Sequence, residues 1–255
     1  VKTALALQIA NDDSVLIGTS QIGLQKWIPE SKKLTSLVNS EMSSAINYIV
    51  QTSNNDIWYA STQSLYLLDS NGQQIEVTPP REWWDEFESI RDIERDAFDN
   101  IWVAAPKRLF IVNSKDQTFE SVSLQQAGAS QNSSVELYLD PYENMWVAIN
   151  DHLYKWDPEN KALNLFSWPE DKTDFRENYN YVYTIFVDSK RQLWLSTKTG
   201  LYLVNQASGE REIVSQDFLG HERVRKALER ETIDWHVIRG QVGDIAAASR
   251  VRLST

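Results

Sequence analysis

The chain has 255 residues, of which 42% are hydrophobic and 11% aromatic, and this composition excludes a disordered or fibrous protein. It contains no cysteine, which excludes disulfides, thiol catalysis and cysteine-ligated metal centres. The formal net charge of −11 disfavours nucleic acid and anionic membrane surfaces as partners.

Four copies of one short apolar segment recur along the chain, each with a tryptophan at its second position. The copies are IWYAS at Trp58, IWVAA at Trp102, MWVAI at Trp146 and LWLST at Trp194, so the spacings are 44, 44 and 48 residues. Six positions before each tryptophan stands a turn residue, in order Thr52, Asp96, Asp140 and Asp188. A period in the forties, built from short strands, predicts an all-β propeller of four-stranded antiparallel blades.

One copy, residues 182–214, shows how a blade is built. Four β-branched or aromatic runs, each suited to a strand, are separated by short polar turns, and an aspartate at a turn can bond the backbone two residues further on. The same pattern predicts blades at about 1–38, 46–77, 90–122 and 135–166, with Leu16 in the tryptophan position of the first. The single propeller then has about five complete blades.

The last copy is weak and partial. It covers residues 242–255, and Arg252 falls where the tryptophan is expected. Because half a blade leaves an open edge and an uncovered apolar face, the sequence predicts an incomplete propeller, a fragment of a seven-bladed ring. No run reaches the about 18 apolar residues of a membrane span.

The repeat resembles the two-component regulator propeller repeat. The resemblance rests on DSKRQLWLSTKTGLY at 188–202, on LIGT at 16–19 and on QIGL at 21–24, and it extends over nearly all of residues 1–214. The family's turn aspartate is replaced by Thr52 in the second copy. The resemblance implies the periplasmic sensor region of a bacterial membrane protein, a hybrid histidine kinase or a diguanylate cyclase, whose output enzyme domain lies outside this sequence.

Function in a propeller is expected in the loops between blades rather than in the strands. Residues 78–90 hold paired tryptophans among carboxylates, and residues 167–181 interleave aromatic and charged side chains; both patterns suit a polar ligand such as a carbohydrate. The alternative is that these aromatics only pack over the blades. The predicted ligand-binding residues are Trp83, Trp84, Phe87, Trp168, Phe175, Arg176 and Tyr179. The pattern of residues 221–235 predicts an inserted amphipathic helix, and the two alternatives for it are docking on a blade and binding a partner.

Catalysis has little support in the sequence. His152, His221 and His236 are scattered, His152 is interpreted as a solvated loop residue, and no metal-ligand or nucleophile motif is present. We therefore expect no cofactor, no metal and no enzyme activity in this segment. The leading expectation is an extracytoplasmic propeller that senses a small polar ligand or a partner protein, in a full-length homodimer attached to the membrane through segments outside this sequence. The alternatives are a non-catalytic interaction scaffold and a polysaccharide lyase or hydrolase.

Overall fold

A computed structural model of the chain describes residues 3–38, 45–87, 89–167, 182–188, 190–197, 200–215 and 251–252. These residues contain five sheets, each built around four consecutive antiparallel strands, which confirms the predicted series of blades; the first sheet also includes a short fifth strand. We number the sheets as blades 1 to 5. The chain divides into two compact units, one comprising Val1–Ser123 with Ala246–Thr255 and the other Leu124–Ile245.

The first unit contains blades 1 to 3. Its strands are β1 (Ala4–Ile9), β2 (Val15–Thr19), β3 (Leu24–Ile28), β4 (Lys33–Val38), β5 (Tyr48–Gln51), β6 (Ile57–Ala60), β7 (Leu65–Leu68), β8 (Gln74–Val77), β9 (Asp92–Arg95), β10 (Ile101–Ala105), β11 (Arg108–Val112) and β12 (Phe119–Ser123). Within each blade the strands pair in chain order. The partial copy predicted at 242–255 is described only at Val251 and Arg252, which pair in parallel with Leu7 and Gln8 of β1.

The second unit contains blades 4 and 5. Its strands are β13 (Val135–Leu139), β14 (Met145–Ile149), β15 (His152–Asp157), β16 (Ala162–Ser167), β17 (Val182–Val187), β18 (Leu193–Thr197), β19 (Gly200–Val204) and β20 (Arg211–Ser215). The short strand at Val251–Arg252 is β21 and belongs to the first unit. No helix in the described part of the chain has the length and apolar content that crossing a membrane requires.

The four repeat tryptophans occupy equivalent positions, as the sequence predicts. Each is the second residue of the second strand of its blade. Trp58, Trp102 and Trp146 are buried, whereas Trp194 is partly exposed. Successive residues of a strand face opposite sides of the sheet, so Trp58 packs toward blade 3 while Tyr59 packs toward blade 1.

The spacing of six residues between turn aspartate and tryptophan has a direct physical cause. In blade 3, one carboxylate oxygen of Asp96 accepts hydrogen bonds from the backbone N–H groups of Phe98 and Asn100, both at 2.9 Å. The other oxygen accepts the Nε1–H of Trp102 at 3.1 Å. The corresponding bonds from the indole N–H to the turn aspartate are 2.8 Å long in blade 4 and 3.0 Å long in blade 5. One side chain therefore closes the turn and fixes the tryptophan.

Blade 2 lacks this arrangement because threonine replaces the aspartate. The hydroxyl of Thr52 donates to the carbonyl oxygen of Asp56 at 3.1 Å and does not reach the indole. The Nε1 of Trp58 consequently has no hydrogen-bond partner, although the side chain is fully buried. An unsatisfied buried donor is costly, so blade 2 has a defect that the aspartate-containing blades avoid.

Blade 1 stabilises its turn differently, with Ala10 in the place of the turn aspartate. Asp12 accepts a hydrogen bond from the hydroxyl of Ser14 at 2.5 Å and pairs with the Nζ of Lys26 at 2.6 Å. The bond from Lys26, followed by that from Ser14, lowers the pKa of Asp12 to about 2. The pair is largely exposed and is therefore a surface contact.

The fourth residue of each second strand is small. In blade 1 this leaves room for the segment that leads into the first strand of the next blade. In blade 1 this residue is Gly18, where a Cβ would lie 2.7 Å from both Cγ2 and the carbonyl oxygen of Ile46. The N–H of Ile46 is bonded to the oxygen of Thr19 at 3.0 Å. The equivalent bonds are Ile90 to Thr62 and Val182 to Asn150, both at 2.8 Å. In blades 2, 3 and 5 the chain at or just before the first strand is thus bonded to the preceding blade.

Candidate functional site

Two loops are predicted to bind a ligand, and the structure describes the first of them more completely. It connects β8 and β9 and comprises residues 78–91. Pro80 is extended, with φ −48° and ψ 145°, and its carbonyl oxygen accepts the N–H of Trp83 at 2.9 Å. A 3-10 turn, Arg81–Trp83, leads into one turn of helix, α1 (Trp84–Phe87). Because proline disfavours a helical residue before it, the helical segment begins after the Pro79-Pro80 pair.

The inner side of this loop belongs to the core between blades 2 and 3. Phe87 is only 4% exposed and packs edge-on against Phe110 and Phe119, with ring centroids 5.2 and 5.9 Å apart. Trp83 is partly buried and lies 5.8 Å from the ring of Phe110. The ring of Phe87 is therefore enclosed by the packing of blade 3, and its role in ligand binding stays a prediction. Trp83 also serves mainly to anchor the loop.

An ion pair fixes the same loop to blade 3. Arg108 of β11 donates from Nε to one oxygen of Glu86 at 2.5 Å and from Nη2 to the other at 3.4 Å. Its Nη1 donates to the hydroxyl of Ser121 at 3.0 Å. The guanidinium carbon also lies 5.9 Å from the ring centroid of Trp83. A partly buried two-pronged pair of this kind holds a loop more firmly than an exposed single contact.

The outer side of the loop presents Trp84 to solvent. This side chain is 50% exposed, and its Nε1–H donates to the carbonyl oxygen of Pro79 at 3.0 Å. The guanidinium carbon of Arg81 lies 5.9 Å from the ring centroid. Glu82 and Asp85 flank the tryptophan and are exposed. The loop therefore carries an exposed indole held by one hydrogen bond, and two exposed carboxylates close to it in sequence.

Four of the predicted ligand-binding residues lie outside the described residues, namely Trp168, Phe175, Arg176 and Tyr179. The predicted helix at 221–235 and the histidines at 221 and 236 also lie outside them. Of the seven predicted ligand-binding residues, three are described, and only Trp84 among those three is exposed.

A polar cluster between blades 4 and 5 was not expected from the sequence. His152, the first residue of β15, is partly buried, and its Nδ1 lies 2.6 Å from the Oδ1 of Asp151. The Nη2 of Arg211 donates to the backbone oxygen of Asp151 at 2.6 Å. Burial raises the pKa of Asp151, but its contacts with His152 and Arg211 outweigh this, so the pKa is lowered overall. Burial in turn lowers the pKa of Arg211 to about 10.

Sequence reasoning missed this cluster because its members are distant along the chain. Arg211 follows Asp151 by 60 residues. Asp151-His152 by itself is an unremarkable dipeptide in a hairpin. Within the described ranges, no group of three or more histidine, aspartate or glutamate side chains is arranged to hold a metal ion.

Comparisons with known proteins identify the architecture. No family model and no curated protein matches this chain. Among solved structures it is similar to a streptogramin B lyase at 13% identity and a TM-score of 0.65, covering 83% of this chain and 69% of that one. It is also similar to the extracellular domain of BT4673 from B. thetaiotaomicron, a candidate one-component system, at 12% identity and a TM-score of 0.66, covering 85% and 28%.

A third similar structure is PorZ, a bacterial surface component of the type-IX secretion system of Porphyromonas gingivalis. Its identity is 15% and its TM-score 0.61, and the match covers 84% of this chain and 34% of PorZ. Identities this low show the fold alone. The chain is an all-β protein of propeller blades, and it spans about a third or less of the BT4673 extracellular domain and of PorZ.

Proposed function

We propose that this propeller is the ligand- or partner-sensing segment of a bacterial signal-transduction protein, on the periplasmic or extracellular side of the membrane. The resemblance of the repeat at 188–202 to sensor propellers supports this assignment, as does the fold shared with the extracellular domain of BT4673 and with the surface component PorZ. The observation that carries it is the exposed Trp84 on a rigid loop.

Rigidity matters because binding pays for every side chain that it immobilises. Trp84 is already oriented by its bond to Pro79, and the loop beneath it is fixed by Phe87 and by the pair between Glu86 and Arg108. A ligand that stacks on this ring therefore loses little side-chain entropy. A large exposed indole with few rotatable bonds is the kind of residue that dominates recognition surfaces.

A propeller lyase is the second candidate. The streptogramin B lyase has a similar fold, and the carboxylate of Asp151 orients the imidazole of His152 at 2.6 Å, an arrangement that suits a general base. We rank this function second because the repeat motif resembles that of sensors. A non-catalytic scaffold is the remaining alternative.

The test is a binding screen with the 255-residue chain and a matched pair of variants. Trp84→Ala removes the proposed platform, and Trp27→Ala removes another exposed tryptophan, 36% exposed on β3. A ligand of the proposed site should bind the Trp84→Ala variant about 1–3 kcal/mol more weakly and the Trp27→Ala variant with unchanged affinity. Equal affinity for both variants would remove the loop from the site.

Two further measurements separate the candidate functions. Conversion of the bound compound to a product, abolished by His152→Ala, would favour the lyase. In the full-length protein, a sensed ligand should change the cross-linking pattern between two subunits, whereas a scaffold should bind a protein partner without any small-molecule dependence.

A further inference from the structure

One side of blade 1 is apolar and open to solvent. Its residues lie on the same side of the sheet by strand register, and they are Leu7, Ile9, Val15, Ile17, Trp27 and Leu34. Trp27 and Leu34 are 36% and 54% exposed, and the other four are partly exposed. The opposite side carries Leu16 and Leu24, which are fully buried against blade 2. We call the first side the open face of blade 1.

The same positions are buried in blades 2, 3 and 5, because the preceding blade covers them. Val15 pairs across the sheet with Trp27, and the equivalent pairs are Ile57 with Leu68, Ile101 with Val112, and Leu193 with Val204. Their exposure is 8% or less, and they share core clusters with residues of the preceding blade. The open face of blade 1 therefore has the composition of a blade-packing surface, although no described blade precedes it. β21 pairs with the edge of β1 and extends the sheet, so it does not take this face.

Blade 5 leaves the complementary kind of face open. The side chains of Phe186, Trp194 and Leu203 form one row across its first three strands, and all three are partly exposed. The same row in blade 2 consists of Val50, Trp58 and Leu67. That row is buried, and it packs against blade 3. We call the row in blade 5 the tryptophan face.

We propose that a second copy of this chain binds the open face of blade 1 with the tryptophan face of its own blade 5. Within each compact unit, these two kinds of face meet wherever one blade follows another. Every copy therefore carries both halves of a sheet-on-sheet contact that the chain already uses internally. Burial of the two apolar rows drives the association. Because the two faces differ, the contact is heterologous and joins copies head to tail.

Charge gives the association a recognisable dependence on salt. The rows that form the two faces contain no charged side chain, whereas each copy carries a formal net charge of −11. Two copies therefore repel each other at long range and attract each other only through the apolar contact. Since salt screens the repulsion, high ionic strength should strengthen the association, whereas it would weaken an interface held by ion pairs.

The experiment measures the oligomeric state of the 255-residue chain by sedimentation velocity over a range of concentrations, at low and high salt. Trp27→Glu places a charge in the open face, and Leu203→Glu places one in the tryptophan face. Phe98→Glu is the matched control, because this side chain is 82% exposed in the turn between β9 and β10, outside both faces. Circular dichroism checks that each variant is folded. Leu34→Glu and Phe186→Glu replace the first two variants if either of those unfolds.

The wild type and Phe98→Glu should associate as concentration rises, and more strongly at high salt. Each face variant should associate at least about tenfold more weakly, because an unpaired charge resists burial. A mixture of the two face variants should form dimers, since the Trp27→Glu copy keeps an intact tryptophan face and the Leu203→Glu copy keeps an intact open face. Growth beyond two copies should be blocked in this mixture, because both remaining faces carry a charge.

Three outcomes would overturn the inference. A wild-type chain that stays monomeric at every concentration would show that a second copy does not cover these faces, which would then fit a further blade of a longer protein. Continued self-association of Leu203→Glu would show that two open faces meet each other. Absence of dimers in the mixture of folded face variants would show that the two faces are not partners. None of these outcomes bears on the ligand-binding role proposed for Trp84, which the binding screen tests separately.

Discussion

Blades 2 and 3 differ in one turn residue, and this difference predicts unequal costs for two equivalent substitutions. Asp96→Ala removes the acceptor of the Trp102 indole and of two backbone N–H groups. Thr52→Ala removes a hydroxyl that contacts the carbonyl oxygen of Asp56 and the Oδ1 of Asn54, but it removes no bond to the indole, because Trp58 already lacks a partner. Both turns belong to the first compact unit, so the two variants report on the same unfolding event.

The magnitudes follow from the bonds that are lost. A buried donor left unpaired costs about 1–3 kcal/mol, and Trp102 is only 2% exposed. The turn N–H groups released by Asp96→Ala are better solvated and add about 1 kcal/mol. The total is about 2–4 kcal/mol. Thr52→Ala loses only the neutral hydrogen bonding of one hydroxyl group and should cost about 1 kcal/mol.

The assay is urea unfolding followed by circular dichroism, with the free energy of unfolding compared between variants. The reciprocal substitution Thr52→Asp supplies the missing acceptor to Trp58 and should stabilise the unit by about 1 kcal/mol. Equal costs for the two alanine variants would refute the reasoning. So would destabilisation by Thr52→Asp, since it would show that the indole of Trp58 does not need the acceptor.

Three other predictions concern packing, the binding loop and acid. Gly18→Ala should destabilise the chain by about 1–3 kcal/mol in urea titration, because the new Cβ meets Ile46 at 2.7 Å; an unchanged midpoint would contradict this contact. Phe87→Ala should cost about 3–5 kcal/mol and Trp84→Ala under about 0.5 kcal/mol, and similar losses in both would show that Trp84 belongs to the core. The pKa of Asp12 is lowered from 3.8 to about 2. Its pairing therefore stabilises the fold fully above pH 3.8, and this stabilisation is lost as the pH falls through about 2. The difference in melting temperature between wild type and Asp12→Asn should therefore vanish in strong acid, and a constant difference would refute the linkage.

The order and extent of the strands could be predicted from sequence because the same pattern of strands and turns recurs in each copy of the repeat. Residues 182–187 and 193–197 were expected to be strands and form β17 and β18 with those bounds. The left-handed residue in each first turn, such as Asp99 with φ 65°, follows from the same periodic turn. Local patterns of this kind are determined by neighbours within a few residues, and these are visible in the sequence.

The side of the loop that faces solvent was decided only by tertiary structure. Trp83, Trp84 and Phe87 look alike in sequence, and a helical segment this short has no periodicity from which to assign faces. The position of Phe110 and Arg108 on β11 draws Trp83 and Phe87 inward and leaves Trp84 outside.

The contact between Arg211 and Asp151 shows the same limit at longer range. The two residues are separated by 60 positions and belong to different blades, so no spacing in the sequence signals their contact. The repeat by itself determines the strands, the turns and the buried tryptophans, because those depend on local chemistry and on a pattern that recurs. The chemistry of the surface depends on which blades become neighbours, and only the packing of the blades brings those side chains together.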